Sequence, residues 1–365
     1  MDLSDARTAA ANDALDRTRT VRVAVDAMGG DHGPEEVVAG ALAYAHEDPA
    51  VELLLVGDEA TIARHVASPL PERVTLVHAS QVIGMHESPA IALRQKRDSS
   101  ILVATGLVRE GRADAVVTAG HTGAGMAAAV LRLGRLPGVD RPALAVQLIT
   151  ATGPLILIDI GANPDSTAFN LSQYATMATI YAEQVMGIAR PRVALLSIGE
   201  EKGKGDARIA EATILLDGTD LNFIGNIEGK DLPQGTADVV VCDAVLGNVV
   251  IKFFEGLSSF IVDEFRTELR RPPFGPIAAL LLRPGLARIR RRLDYERLGG
   301  APLLGVRGVV IITHGRARRR MIRYAVGAGA LAARAGIPAR IARAFGGRDI
   351  PETAAEPMAD AVAGA

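Results

Sequence analysis

The sequence predicts an α/β protein built on a mostly parallel sheet with helices on both faces. Short, strongly apolar segments that suit β-strands alternate with segments of helical periodicity along most of the 365 residues. Strands this apolar are typical of parallel sheets that are buried on both faces. Hydrophobic residues make up 48% of the chain and its formal net charge is -2, so the chain can form a large core.

The strands and helices follow from two different spacings of apolar residues. Short apolar runs bounded by glycine, proline, asparagine or aspartate predict strands at residues 21–26, 51–57, 74–78, 115–118, 143–148, 155–159, 193–197, 222–225, 239–242 and 309–313. Apolar residues three and four positions apart predict helices at residues 34–45, 99–111, 122–133, 171–187, 206–215 and 249–269. Without an internal repeat or a long linker, we predict one α/β domain over residues 21–345.

Composition and the chain ends exclude several classes of protein. Residues 1–20 lack the apolar core of a signal peptide, and both they and residues 346–365 are predicted as disordered tails. A single cysteine, Cys242, excludes a disulfide framework and a cysteine metal cluster. The near-neutral charge argues against a nucleic-acid binder. We predict a cytoplasmic protein in which no apolar run approaches the roughly 18 residues that span a bilayer.

Residues 21–34 form the most informative segment of the chain. An apolar strand ends at Asp26, a glycine-rich turn follows, and a helix begins near Pro34. Such a junction directs backbone N–H groups and the positive end of a helix dipole to one spot, which suits phosphate or another anion. The segment contains neither GxGxxG nor a Walker lysine, so the common nucleotide motifs do not explain it.

Five further polar, glycine-rich loops follow predicted strands, at residues 118–123, 159–163, 197–201, 225–229 and 242–248. Ligands of open α/β sheets bind at the carboxyl ends of strands. A glycine loop alone is weak evidence because glycines also serve tight turns, but six loops together predict an anion-binding cleft. The residues predicted to bind the phosphate or acyl substrate are Asp26, Gly29, Gly30, Asp31, His32, Gly120, His121, Thr122, Gly123, Asn163, Asn226 and Asp243.

Several side chains allow catalytic chemistry, and each has a structural alternative. Cys242 ends a β-branched run, where a buried thiol is a more usual interpretation than a nucleophile. Histidines beside glycines can be general acids or bases, or hydrogen-bonded structural groups, at His32, His121 and His314. Strand-end aspartates can hold magnesium or cap helices, at Asp26, Asp31, Asp159 and Asp243. We predict no metal and no cofactor, and leave open whether a divalent metal assists.

The lysines are few, and two of the five lie in the glycine loop at residues 199–205. Lys202 and Lys204 there supply a compact positive charge, or are solvated loop charges. A site rich in backbone donors but without a clear protein nucleophile suits a substrate that brings its own nucleophile. Inorganic phosphate attacking an activated carbonyl needs positioning and oxyanion stabilisation and little else.

Residues 266–297 differ from the rest of the chain, with nine arginines against three acidic residues around an apolar segment. This pattern is typical of an anchor at an anionic membrane surface. A helical hairpin that packs on a dimer partner is the alternative, and nucleic-acid binding is less favoured because interleaved aromatics are missing. The predicted membrane contacts are Phe274, Ile277, Leu280, Leu281 and Leu282.

Seven motifs occur in one order along the chain: DAMGGD at 26–31, KRDSS at 96–100, AGHTGA at 119–124, DIGAN at 159–163, GNIEG at 225–229, GNV at 247–249 with Lys252, and GGAPLLG at 299–305. Together they make residues 21–344 resemble the bacterial phosphate acyltransferases of phospholipid synthesis. In that family the position of His121 is often asparagine. Imidazole can replace one amide hydrogen bond but not both polarities at once, so the role of position 121 is open.

The resemblance implies transfer of a long-chain acyl group from acyl carrier protein to inorganic phosphate, which gives acyl phosphate. It implies a Rossmann-like α/β/α sandwich, related to isopropylmalate dehydrogenases and phosphotransacetylases, with a protruding helical hairpin. It also implies a homodimer at the inner face of the cell membrane, and a membrane glycerol-3-phosphate acyltransferase that uses the product. Lys204 and Asn248 match the family residues linked to activity.

Two alternatives come from other classes of protein. A nicotinamide-dependent decarboxylating dehydrogenase on the related fold needs an arginine-rich carboxylate site and aspartates for a metal, and the glycine loops suit it poorly. A non-catalytic membrane scaffold built around residues 266–297 would bind lipid without turnover.

Overall fold

The computed structural model describes residues 18–67, 69–201, 203–269, 282, 285 and 295–346. These residues form two compact units. The first unit comprises the described residues of Asp16–Asp140 and Gly305–Ala365, and the second those of Arg141–Leu304. The predicted tails lie outside the described residues apart from residues 18–20 and Gly346. The single domain over residues 21–345 stays a prediction.

The described residues contain eleven strands and ten α-helices. The strands are β1 (Val21–Asp26), β2 (Val51–Gly57), β3 (Val74–His78), β4 (Ala115–Thr118), β5 (Ala143–Ile149), β6 (Pro154–Ile158), β7 (Val193–Leu196), β8 (Phe223–Ile227), β9 (Val239–Val241), β10 (Ala301–Leu304) and β11 (Val309–Ile312). The helices are α1 (Glu35–Glu47), α2 (Glu59–Ala63), α3 (Pro89–Gln95), α4 (Ser100–Arg109), α5 (Thr122–Arg132), α6 (Ala168–Gln184), α7 (Ala207–Asp217), α8 (Ala244–Glu268), α9 (Arg319–Arg334) and α10 (Ile337–Ala344).

In the first unit the strands form a parallel sheet in the order β3-β2-β1-β4-β11. Parallel pairing places the carboxyl ends of these strands at one edge of the sheet. The last residue of β1, Asp26, is paired in register with Thr118 of β4, and Thr118 with Ile312 of β11. The register therefore places the polar ends of two buried strands side by side.

In the second unit, β6, β9, β7 and β8 are parallel neighbours in that order, whereas β5 runs antiparallel to both β6 and β10. A tight turn joins β5 to β6, closed by a hydrogen bond of 2.9 Å from the Thr150 N–H to the Gly153 carbonyl. Strands joined by so short a turn must be antiparallel. The α/β fold class is confirmed, with this antiparallel segment as its departure from a parallel sheet.

The sequence patterns missed β10 and the helices α2, α3, α9 and α10. Helix α9 carries four arginines, which interrupt the apolar pattern, although most of its small residues are buried. Strand β10 contains a proline, which is uncommon within strands and disfavoured its prediction. Neither α9 nor β10 could be predicted from the polarity of its residues alone, because that polarity does not show which neighbouring elements cover each face.

Helix α8 starts five residues earlier than the predicted helix, at Ala244 rather than residue 249. Its segment Ala244–Phe265 is long and apolar enough to cross a membrane by length and composition, and only 11% of its apolar window is buried. The prediction that no apolar run approaches that length is wrong. Lys252 and Glu255 divide the apolar residues of this helix into shorter runs in the sequence, and that division concealed its overall length. Length and composition alone are weak evidence for a membrane span.

Candidate active site

A small, partly open pocket lies at the carboxyl ends of β1 and β4 in the first unit. Its lining combines apolar side chains, small residues and a few polar groups. The lining residues are Asp26, Gly29, Val82, Ile83, Ser100, Ile101, Thr118, Gly120, His121, Ala124 and Gly125. The pocket thus brings together four predicted site residues, namely Asp26, Gly29, Gly120 and His121.

The carboxyl group of Asp26 forms the buried polar centre of this pocket. Asp26 is 2% exposed, and its Oδ2 accepts a hydrogen bond of 2.8 Å from the Thr118 hydroxyl. That hydroxyl oxygen in turn accepts from the Gly120 N–H at 3.0 Å. The other carboxyl oxygen, Oδ1, has no hydrogen-bond partner among the described residues. Burial raises the pKa of Asp26, and the nearby Ser100 and Thr118 hydroxyls offset only part of that rise.

The glycines of the first loop are required by close backbone approach. A Cβ at Gly29 would lie 2.7 Å from the Gly120 nitrogen and 2.8 Å from Asp26 Oδ2, closer than real Cβ contacts. Gly30 adopts a φ of +86°, a conformation that side chains other than glycine rarely tolerate. The two glycines let the loops after β1 and β4 pack backbone against backbone beside Asp26.

His121 is the N-cap residue of α5. Its Nδ1 accepts a hydrogen bond of 3.1 Å from the Gly123 N–H. A cap of this kind is usually made by asparagine, aspartate, serine or threonine. The imidazole thus makes the acceptor bond that an asparagine could make here, which gives position 121 a structural role. Because Nδ1 accepts, the neutral ring carries its proton on Nε2.

The apolar wall of the pocket is held by the KRDSS motif. The Lys96 ammonium donates to the Val82 carbonyl at 2.7 Å and to Glu87 Oε1 at 2.6 Å. Asp98 Oδ2 accepts from the backbone and hydroxyl of Ser80 at 2.8 and 2.6 Å. The segment that carries Val82 and Ile83 is therefore fixed from both ends, and the same motif places Ser100 in the pocket.

The other predicted residues of the first unit lie outside the pocket lining. Asp31 is exposed, and its N–H donates to the Gly315 carbonyl at 2.8 Å. His32 is half-buried, and its carbonyl accepts from the Glu36 N–H at 3.1 Å. Thr122 is exposed at the first position of α5. The backbone of these residues organises the loops, and their side chains contribute nothing to the pocket wall.

In the second unit the side chain of Asp159 organises the loop after β6. Asp159 is fully buried, and its two oxygens accept five N–H hydrogen bonds of 2.8 to 3.2 Å. Asn163 donates two of them, one from its backbone and one from its side chain, and its side chain also donates to the Pro142 carbonyl at 2.7 Å. Burial raises the pKa of Asp159 while these donors oppose the rise.

Lys204 is exposed on the loop between β7 and α7, and no carboxylate of the described residues pairs with its ammonium. Its carbonyl is held by the Ser197 hydroxyl at 3.2 Å and by the side-chain nitrogen of Asn226 at 3.4 Å. Lys230 differs, because its ammonium lies 3.2 Å from Glu200 and 2.9 Å from Glu228. The backbone of Lys204 is thus fixed while its charge is left available.

The start of α8 holds the remaining predicted residues. Asp243 caps the helix by accepting from the Val245 and Leu246 N–H groups at 2.9 and 3.0 Å. Asn248 is exposed in the first turn and a half of α8. A Cβ at Gly247 would collide with the Asp159 carbonyl oxygen, so only glycine fits there.

Cys242 is fully buried, and burial raises the pKa of its thiol well above the usual range. The charges of Asp159 and Asp243 add to that rise. A thiol in this state is a poor nucleophile, which agrees with the structural interpretation of this residue. No group of three or more histidine, cysteine, aspartate or glutamate side chains in the described ranges is placed to hold a metal ion.

Seven pocket residues were not among the predicted site residues: Val82, Ile83, Ser100, Ile101, Thr118, Ala124 and Gly125. Thr118 ends a predicted strand, and Ser100 belongs to KRDSS, so both carried a signal that could have been used. Val82, Ile83 and Ile101 carried none, because their role depends on how the segment after β3 folds back over the sheet edge.

A sequence model of a protein family described as "Fatty acid synthesis protein" matches residues 21–340. The chain is 50% identical over 309 residues to the phosphate acyltransferase of Heliobacterium modesticaldum, covering 84% of this chain and 92% of that protein. It is 45% identical over 331 residues to the phosphate acyltransferase of Myxococcus xanthus, covering 89% and 94%. The resemblance inferred from the seven motifs is confirmed.

Solved structures of lower identity share the fold. A phosphotransacetylase from Streptococcus pyogenes aligns with a TM-score of 0.60 at 17% identity, covering 91% of this chain and 99% of that chain. The EutD phosphotransacetylase from Staphylococcus aureus aligns with a TM-score of 0.59 at 18% identity, covering 91% and 100%. The predicted phosphotransacetylase-like fold is confirmed.

Proposed function

This chain belongs to the phosphate acyltransferase family of transferases, and we propose that it moves a long-chain fatty acyl group from acyl carrier protein to inorganic phosphate. The product, acyl phosphate, would enter phospholipid synthesis. The observation that carries the proposal is the extent of identity to phosphate acyltransferases over most of the chain. The pocket at the ends of β1 and β4 is lined by residues from the N-terminal ends of α4 and α5, where the helix dipole favours an anion such as phosphate.

In the proposed reaction, a phosphate oxygen attacks the thioester carbonyl carbon. The carbon–oxygen bond forms, the carbon–sulfur bond breaks, and the proton of the attacking hydrogen phosphate passes to the sulfur, so that the carrier leaves as a thiol. Lys204 stabilises the phosphate or the developing oxyanion, because its positive charge has no carboxylate partner among the described residues. Asn248 holds the thioester carbonyl or the phosphate. No protein nucleophile is needed, which is consistent with a buried, poorly nucleophilic Cys242.

Family membership favours this reaction over the two alternatives raised by the sequence. Relatives named as acyltransferases support acyl transfer rather than nicotinamide-dependent oxidation. They also support an enzyme rather than a non-catalytic scaffold.

The proposal extends to partners and location. We propose a cytoplasmic homodimer that contacts the inner face of the cell membrane and supplies a membrane glycerol-3-phosphate acyltransferase. The support is the exposed apolar face of α8, where Val249, Phe253 and Phe260 are 59%, 69% and 60% exposed. Of the predicted membrane contacts, Leu282 is 54% exposed. Phe274, Ile277, Leu280 and Leu281 lie outside the described residues, as does most of the predicted 266–297 hairpin.

The reaction is tested by incubating the purified protein with palmitoyl carrier protein and phosphate, with and without a chelator. We expect acyl phosphate and free carrier thiol in equal amounts, and neither product when phosphate is omitted. Release of free fatty acid without acyl phosphate would contradict the proposal, and loss of turnover with chelator would add a metal to it.

The membrane contact is tested with Leu281→Glu. The variant should sediment less with anionic liposomes while its turnover on soluble substrates stays the same, because a charge in an interfacial apolar segment opposes insertion. Unchanged sedimentation would favour the interpretation that this segment packs on a dimer partner.

A further inference from the structure

We propose that Asp26 acts as a neutral acid and donates a hydrogen bond from Oδ1 to inorganic phosphate bound between the N-termini of α4 and α5. This inference rests on the proposed acyl transfer to phosphate and names the group that recognises that substrate. It assigns the pocket at the end of β1 to the phosphate itself rather than to the acyl chain or the carrier.

The first support is the unpartnered oxygen. Asp26 is 2% exposed, and only its Oδ2 has a hydrogen-bond partner, the Thr118 hydroxyl at 2.8 Å. Oδ1 is buried, has no partner among the described residues, and belongs to a side chain that lines the pocket. Buried polar atoms are rarely left without a partner, and those that are require an explanation. A ligand oxygen in the pocket supplies the missing partner.

The second support is the backbone around the pocket. Ser100, the first residue of α4, and His121, the N-cap residue of α5, both line it. The Ser100 N–H donates to the Gln81 carbonyl at 3.0 Å and the Gly123 N–H to His121 Nδ1 at 3.1 Å, so the protein already satisfies these two amides. The dipole still makes the N-terminal end of each helix positive. Two helices of ten and eleven residues therefore direct their positive ends to the pocket that contains Asp26. An anion fits this field better than a neutral thioester does.

The neutral form of the acid follows from the same surroundings. Among the described residues, the Thr118 hydroxyl is the one hydrogen-bond partner of the Asp26 side chain within 3.5 Å. Burial raises the pKa of Asp26, and the neighbouring Ser100 and Thr118 hydroxyls and the Met28 and Gly29 N–H groups offset only part of that rise. A bound anion would oppose ionisation further. The protonated acid accepts from Thr118 at Oδ2 and keeps one donor, on Oδ1, for the ligand.

The pocket walls are consistent with this role. The other titratable lining residue is His121, whose Nδ1 is used in capping α5. Val82, Ile83 and Ile101 form the apolar part of the wall, which limits water around the bound phosphate. A phosphate held by donors on one side keeps an oxygen free for attack on the thioester.

The test compares Asp26→Asn and Asp26→Ala in the full-length protein. Asparagine reproduces the neutral acid, with an acceptor for Thr118 and a donor for phosphate, whereas alanine removes both. Phosphorus NMR titration with inorganic phosphate measures binding without turnover, and the steady-state KM for phosphate measures it during turnover. We expect Asp26→Asn to stay within about threefold of the natural protein and Asp26→Ala to weaken phosphate binding at least about tenfold. The matched control, Asp114→Asn, changes an aspartate at the opposite end of β4 that pairs with Arg22 and should bind phosphate normally.

Three other outcomes would overturn the inference. Equal loss in both Asp26 variants would mean that the charged carboxylate is the working form. Unchanged phosphate binding in Asp26→Ala would show that phosphate does not bind in this pocket. A change confined to the KM for acyl carrier protein would show that the pocket binds the acyl thioester instead. Thermal unfolding of each variant separates loss of binding from loss of folding. Phosphate binding without acyl phosphate formation in the natural protein would refute the proposed reaction. The role of Asp26 in phosphate binding could still be measured by the NMR titration, which does not depend on turnover.

Discussion

Asp26 and Asp159 both end an apolar strand and precede a glycine loop, yet the structure gives their carboxyl groups opposite surroundings. Asp159 accepts five N–H hydrogen bonds, which tie the loop at residues 159–163 together. Asp26 accepts one hydroxyl hydrogen bond and keeps a buried oxygen without a partner in a pocket. The same sequence pattern thus produces a structural carboxyl group in one unit and a ligand-facing one in the other.

We infer from the comparison that the number of partners supplied by the protein distinguishes a structural polar group from one that binds substrate. The same rule applies to the lysines of the second unit. Lys230 is paired with Glu200 and Glu228, whereas the described residues supply no carboxylate for Lys204. Groups whose partners are all supplied by the protein maintain the loops, and groups left incomplete are available to substrate. The predictions that follow test this distinction, beginning with the largest expected effect.

Lys204→Ala should lower turnover at least about a hundredfold, the usual cost of losing one preorganised electrostatic group. Acyl phosphate formation from palmitoyl carrier protein is the measurement. Lys230→Ala is the matched control and should change turnover less than about threefold, because an exposed lysine paired with two carboxylates contributes little. Near-normal turnover in Lys204→Ala, or an equal loss in Lys230→Ala, would contradict the distinction between the two lysines.

Asp159→Asn should lower the free energy of unfolding by about 2 kcal/mol, since an amide nitrogen would replace one acceptor oxygen and leave buried N–H groups unsatisfied. Denaturant unfolding measures this loss. Phosphate binding at the Asp26 pocket should stay normal. Asp26→Asn should cause little loss of stability, because the described residues leave its Oδ1 without a hydrogen bond to lose. Equal destabilisation by the two substitutions would mean that both carboxyl groups are structural.

Sequence patterns predicted the strands of the first unit well, because each is an apolar run that ends in a polar residue. They also predicted that Asp26, Gly29, Gly120 and His121 belong to one site, since parallel strands end at a common sheet edge. They placed Asp26 but not Asp159 among the substrate-binding residues, and otherwise treated both as strand-end aspartates that could hold magnesium or cap a helix. The number of N–H donors around each carboxyl group could not be predicted, because it depends on loop conformation. Asp243 likewise matched a ligand-binding pattern and caps α8 in the structure.

The pocket wall lay beyond sequence reasoning for a different reason. Val82 and Ile83 are ordinary apolar residues, and they line the pocket only because the segment that carries them is held by residues 14 and more positions away, through Lys96 and Asp98. Such long-range hydrogen bonds leave no periodic signal. The antiparallel β5 and the strand β10 were difficult for the same reason, since pairing partners are not encoded in local polarity.

Lys96→Met should raise the KM for phosphate about threefold to tenfold with little change in kcat, because it frees the wall segment without touching the donors of the pocket. The Lys96–Glu87 pair is about one-third exposed, at 31% and 38%, so the effect on global stability should be small. Lys96→Arg should restore part of the affinity. Arg112→Met removes an exposed ion pair to Glu110 and should leave both constants unchanged. A fall in kcat alone would show that Lys96 does not act through the wall.

Glu36→Gln should have the smallest effect, on the pH dependence of stability. The Arg319 side chain and backbone donate to Glu36 and lower its pKa from 4.5 to about 2. A carboxyl group whose pKa is lowered on folding stabilises the protein above its unfolded pKa, and this contribution is lost as pH falls toward the folded value. The difference in unfolding temperature between the natural protein and Glu36→Gln should therefore be constant above about pH 5 and shrink steadily below about pH 4. Glu35→Gln is the control, since Glu35 is 70% exposed and lies 3.9 Å from Arg319, and it should change stability little at either pH. A difference that did not shrink in acid would show that the contact stabilises α1 and α9 through packing rather than through the charge of Glu36.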